Sequence, residues 1–165
     1  MTRTLVIGLG NPILSDDGAG IYVARMVKAA LPPYTKVEVI ELSVGGLALM
    51  EAMIGYYQVI LIDALRLPGV EAGKVFLFHA GDLPPTLNTT GTHDVDLPTA
   101  LEVGKRLGVP LPAEKDIRVV GIQAYDVLTF SESPTPYVAA ALREASELVL
   151  NLLGYKPSED LPTGD

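Results

Sequence analysis

The sequence predicts an α/β fold built on a mixed five-stranded sheet, mostly parallel with one antiparallel strand. Three observations carry that expectation. Apolar runs of strand length alternate with stretches of helical spacing from Arg3 to Ile62, a β-α-β-α-β start that argues for a parallel sheet with right-handed crossovers. Only ten residues, Ala64 to Gly73, then separate the third strand from the fourth, and Pro68, Gly69 and Gly73 are among them. A parallel connection needs a dozen or more residues and usually a helix, so the fourth strand is expected to run antiparallel. Finally, 165 residues of which 48% are hydrophobic suit one domain with a sizeable core. That domain is expected over 1–155, with a polar, acidic tail at 156–165.

Each element has a local reason. Arg3–Leu9 is a short apolar run closing near glycine and reads as a central first strand. Val23, Met26, Val27, Ala30 and Leu31 form one face of a helix over 18–31, which Pro32-Pro33 stops. Lys36–Leu42 alternates as a second strand. Gly45-Gly46 opens a second helix through about Tyr56, and Gln58–Ile62 is the third strand. Lys74–Phe78 is the fourth strand, followed by an irregular loop over His79–Thr92. A third helix spans Asp94 to Leu107 with Gly108 beyond its end, and either Asp94 or Asp96 caps it, the later one favoured by Pro98. Ile117–Gln123 is the last strand. Thr135 as N-cap and Pro136 at the first helical position start a final helix to Leu153.

Composition excludes several function classes. Twenty acidic against 12 basic residues give a formal charge of −8, which repels a phosphate backbone and speaks against nucleic acid as a partner. No apolar stretch approaches the ~18–20 residues of a membrane span. Met1–Thr4 runs straight into a strand without room for a signal peptide, so the cytoplasm is the expected address. Without cysteine there is no disulfide framework, thiolate nucleophile or thiolate metal site. The His-Glu-x-x-His, Gly-x-Ser-x-Gly and Gly-x-x-x-x-Gly-Lys patterns are also missing.

What remains is an acid/acid/imidazole set. Asp17 lies just after the first strand, Asp63 directly after Val59-Ile60-Leu61-Ile62, and His93 in the loop leading to the third helix. In an open α/β sheet the loops beyond the strands' carboxyl ends gather into one crevice, at the switch point of a 2-1-3 strand order. Two carboxylates and an imidazole there suit a hard-to-borderline cation. Two aspartates facing each other would repel unless a cation or shared proton lay between them. Each residue also has a plainer reading. Asp16 or Asp17 can cap the first helix, with Asp16 supporting the turn and Asp17 entering the crevice. Asp63 can hydrogen-bond a neighbouring loop, and His79 rivals His93, with nothing in the spacing to choose between them. Gly8-Leu9-Gly10 with Glu41 invites a dinucleotide site. However, Ile13 occupies the third glycine position, and Asp16 and Asp17 stand where a pyrophosphate would approach.

On Gly8-x-Gly10-Asn11 with Asp16-Asp17-Gly18-x-Gly20, Asp63 after an apolar strand, His93-Asp94 leading into Leu97, and Gly121-Ile122-Gln123 to Thr135-Pro136, the chain resembles the hydrogenase maturation endopeptidases over residues 4 to 150. These enzymes trim the C-terminus of the [NiFe]-hydrogenase large subunit. The resemblance implies a three-layer α/β/α sandwich, phosphorylase/hydrolase-like, with one antiparallel strand. It places the three metal-contacting residues on Asp17, Asp63 and His93, and so favours His93 over His79. Some members carry glutamate where this chain has Asp17. It further implies that the metal is nickel carried by the large-subunit precursor, which is the partner. Nothing in the sequence demands more than a monomer. The stretches near Gly45-Gly46 and along His79–Thr92 are expected to read the precursor. A non-catalytic nickel-sensing or chaperone-like module using the same crevice is the alternative.

Overall fold

The computed structural model describes residues 3–43, 46–83 and 97–156. Among these residues five strands form one sheet in the order β2-β1-β3-β5-β4: β1 Thr4–Leu9, β2 Val37–Leu42, β3 Gln58–Leu65, β4 Val75–His79 and β5 Ile117–Gln123. The pairs β1–β2, β1–β3 and β3–β5 are parallel, whereas β4 pairs antiparallel with β5. The mixed sheet is therefore as expected, and the ten-residue link does reverse the chain.

Among the described residues four α-helices cover the two faces: α1 Ala19–Ala30, α2 Leu47–Met53, α3 Leu97–Leu107 and α4 Pro136–Leu152. Alternation along the buried strands sorts the core into two halves. Val6, Ile60, Ile62, Val120 and Ile122 pack against α1 and α4. Leu5, Ile7, Leu9, Leu61 and Val119 pack against α2 and α3. The result is a three-layer α/β/α sandwich.

Two boundaries and one capping bond differ from the expectations. The helix α2 stops at Met53, because Gly55, at φ +82°, turns the chain back towards β3. The strand β3 continues to Leu65, because β5 keeps pairing with it after β1 has ended, so Asp63 lies within a strand rather than beyond one. Finally, Thr135 is the N-cap residue of α4, but its side chain makes no capping bond to its own helix. As expected, Gly108 (φ +68°) ends α3, with the amides of Gly108 and Val109 closing on Lys105 and Gly104 at 3.2 and 3.1 Å. The expected cap residues Asp94 and Asp96, and the tail beyond Lys156, lie outside the described residues.

The helix α1 sits directly on the carboxyl ends of β1 and β3. A Cβ at Gly20 would stand 2.2 Å from the Ile62 carbonyl oxygen and 2.4 Å from that of Leu9. Both obstacles are backbone in central strands, so neither can yield cheaply. Gly20→Ala is expected to lower stability by about 1–3 kcal/mol through overpacking, read as a drop in the urea midpoint. An unchanged midpoint would show that the helix is not seated this closely.

Candidate active site

The loop from β1 to α1 is closed tightly on itself. Gly10 adopts φ +140°, and a Cβ there would lie 2.0 Å from the Asp17 carbonyl oxygen, so only glycine fits. Beyond it, Ser15–Gly18 form a 3-10 turn with all four residues buried. The Asn11 amide donates to Asp17 Oδ2 at 3.0 Å, which fixes this carboxylate over the end of β1.

An amide count removes the dinucleotide reading. A phosphate-binding loop needs backbone N–H groups aimed at the ligand. Here Gly10 donates to Leu42, Asn11 to the Asp17 side chain, Ile13 to the Asn11 side chain and Leu14 to the Asn11 carbonyl. Ser15 donates to Ser131, Asp16 to Asp126 and Asp17 to Leu14. Every amide from Gly10 to Asp17 is engaged within the protein. Glu41, the would-be ribose acid, pairs instead with Arg25 of α1 at 2.8 Å.

Asp16 and Asp17 divide their tasks. The Asp16 side chain is fully buried, and its hydrogen-bond partners Tyr125, Asp126 and Thr135 lie more than 100 residues away in the sequence. Oδ2 accepts the amides of Tyr125 and Asp126, both at 2.9 Å. Oδ1 accepts the Thr135 amide at 2.6 Å, and the Thr135 hydroxyl lies 2.9 and 2.8 Å from the two oxygens. A carboxylate from the first loop thereby caps the last helix, at the end where the helix dipole favours negative charge. The Thr135 hydroxyl is used for this strap, which is why it does not cap α4 itself. Residue spacing carries no signal for a contact of that range, although a buried Asp-Asp pair followed much later by Thr-Pro is its trace.

Asp63 stands at the opening of the sheet. The last β1–β3 pair is Gly8 with Ile62, while Asp63 still pairs with Gly121 of β5. Its neighbour across the gap has thus turned away into the Gly10–Asp17 loop. Val59 and Leu61 belong to the α2/α3 face, so alternation puts the half-buried Asp63 side chain on that face at the carboxyl edge. The 3-10 turn bearing Asp17 packs against β3 at the same edge. The structure therefore places Asp17 and Asp63 at one switch point.

Nearby, Gln123 supplies a second fixture that the sequence analysis missed. Its side-chain amide donates to the Leu67 carbonyl and accepts from the Leu67 amide, each at 3.0 Å, pinning the turn after β3. A glutamine closing an apolar strand was the available signal.

The antiparallel direction of β4 removes His79. It pairs with Arg118 near the amino end of β5, three positions from Gly121, which is Asp63's partner. Its register also points it to the α1/α4 face, opposite to Asp63. The other candidate, His93, lies outside the described residues, as do Gly45 and the loop over 84–92. The described end of that stretch is informative. The amide of Gly55, after α2, donates to the Pro110 carbonyl beyond α3 at 3.0 Å, so the carboxyl ends of these two helices lie together at the amino edge of the sheet. The helix α3 therefore starts, at Leu97, near the carboxyl edge on the Asp63 face. Among the described residues, no three His, Cys, Asp or Glu side chains are grouped to hold a metal ion.

Comparison with known proteins gives the same frame. A sequence model described as hydrogenase maturation protease matches residues 21–152. Hydrogenase 2 maturation protease of Escherichia coli (strain K12) is 26% identical over 167 residues, covering 97% of this chain and 96% of the relative. The structure of the hydrogenase maturating endopeptidase HybD from E. coli superposes with a TM-score of 0.74 at 28% identity, over 93% of each chain. That of hydrogenase 2 maturation peptidase from Thaumarchaeota archaeon SCGC_AB-539-E09 gives 0.65 at 28% identity, over 94% of this chain and 100% of the other. With a five-stranded mixed sheet of the same kind and a family match over most of its length, the chain belongs to the hydrogenase maturation proteases and is an endopeptidase.

Proposed function

We propose that this endopeptidase removes a C-terminal extension from the nickel-loaded precursor of a [NiFe]-hydrogenase large subunit, using Asp17, Asp63 and His93. The observation that supports the assignment is that β1 and β3 part at the carboxyl edge, with Asp63 on β3 there and the turn bearing Asp17 packed against the same strand. Nickel belongs to the substrate in this reading and arrives with the precursor. Two carboxylates with an imidazole form a donor set compatible with such a borderline cation. A precursor without metal offers these side chains nothing to bind, so cleavage is coupled to metal insertion. Bound there, nickel supplies Lewis acidity towards the scissile carbonyl or a water. The chain supplies the two aspartates, either of which can take a proton from the attacking water.

The enzyme acts as a single domain through residue 155, as a monomer, in the cytoplasm. Among the described residues no helix is long and apolar enough to cross a membrane. Incubated with this protein, nickel-loaded precursor is expected to lose the mass of its C-terminal extension in intact-mass spectrometry, and metal-free precursor to keep it. Stable binding with no mass change in either would replace the protease by the sensor reading.

A further inference from the structure

The loop from β5 to α4 carries three large apolar side chains in water. Tyr125 is 72% exposed, Leu128 74% and Phe130 81%, and Ile13 of the β1–α1 loop, 46% exposed, lies beside them. A cluster of this kind on a protein of net charge −8 calls for a partner. It is not an unstructured flap. Asp126 Oδ1 accepts the amides of Leu128 and Thr129, each at 3.0 Å. These bonds, led by that of the Thr129 hydroxyl, hold the Asp126 carboxyl below the usual range. Ser131 is paired to Ile13 and Ser15 through backbone bonds of 2.9 Å each way. The Asp16 carboxylate then ties the loop's two ends to the turn that bears Asp17. The apolar side chains are thus held on a fixed backbone, tied through Asp16 to the turn that also bears Asp17.

The geometry points to this patch as the docking surface for the polypeptide substrate, with an apolar stretch of the large-subunit precursor lying across Ile13, Tyr125, Leu128 and Phe130. The inference rests on the reading given under Proposed function and adds where the substrate is held. An endopeptidase must bind chain on at least one side of the bond it cuts, and this loop leaves β5 at the same carboxyl edge of the sheet that carries Asp63. A second copy of the protein is a poorer occupant, because two chains of charge −8 repel each other.

The test compares wild type with the double variant Leu128→Ser/Phe130→Ser and a control, Tyr34→Ser. Tyr34 is 97% exposed but lies between α1 and β2, at the opposite edge of the sheet. Initial rates are measured on nickel-loaded precursor over a range of concentrations, with thermal melting of each protein as a check on folding. The double variant is expected to raise KM at least about tenfold, as loss of two apolar anchors does, with kcat within about twofold of wild type, while Tyr34→Ser changes neither. An unchanged KM in a folded double variant overturns the docking surface while leaving the protease reading intact. Failure of the wild type to process the precursor overturns the protease reading instead. Sedimentation showing a wild-type dimer that the double variant dissolves would assign the patch to self-association and also overturn the proposal.

Discussion

Asp63→Asn is expected to reduce processing of nickel-loaded precursor by at least about 100-fold while leaving the fold in place. The substitution keeps the size and shape of the side chain and removes its charge and its ability to accept a proton. Loss of a positioned acid–base group typically costs 10²–10⁴-fold in rate, and a weakened metal contact adds to this. The pairing of residue 63 with Gly121 is a backbone matter that asparagine preserves, so stability should change by less than about 1 kcal/mol. Asp17→Asn should behave alike, because asparagine keeps a carbonyl oxygen to accept the Asn11 amide that Asp17 Oδ2 now receives. His93→Gln completes the set. The measurement is intact-mass spectrometry of the precursor with time, beside circular-dichroism melting of each variant. Normal cleavage by all three folded variants would dismiss the assignment.

Much of the fold was legible because its signals are local. Val59-Ile60-Leu61-Ile62 could only be a buried strand, and ten residues with Pro68 and Gly69 could not return the chain for a parallel fourth strand. That same reversal also counts against His79, since an antiparallel β4 delivers it to the amino edge of the sheet. The consequence could have been drawn from the sequence, yet spacing alone left the two level. From the sequence Asp63 reads as the first residue beyond a strand, because charge normally marks a surface. The strand runs on because β5, more than fifty positions later, supplies a second edge of backbone partners. The division of the helices into two layers was implied by the family resemblance, and the strand faces confirm it through Val6 on one side and Leu5 on the other.

The hardest feature to foresee is the most consequential for stability. Asp16→Ala is expected to cost about 3–5 kcal/mol, because it strands the amides of Tyr125, Asp126 and Thr135 together with the Thr135 hydroxyl around a side chain that is itself fully buried. In a protein of this size that corresponds to a melting temperature lower by about 10 °C. Asp16→Asn is no conservative change here. With its amino group at the Oδ1 position it meets the Thr135 amide, and at the Oδ2 position it meets the Tyr125 and Asp126 amides. A donor confronts a donor in either orientation, so the asparagine variant should recover only part of the lost stability. Asp16 also sets the position of the loop that presents Leu128 and Phe130, so in whatever fraction stays folded KM for the precursor should rise. Thr135→Val supplies the matching arm of a double-mutant cycle, since it removes the hydroxyl and leaves the amide. Its cost in the Asp16→Ala background should fall well below its cost in wild type. If Asp16→Asn melted with the wild type, or the two costs of Thr135→Val were equal, the carboxylate would not be what joins the first loop to the last helix.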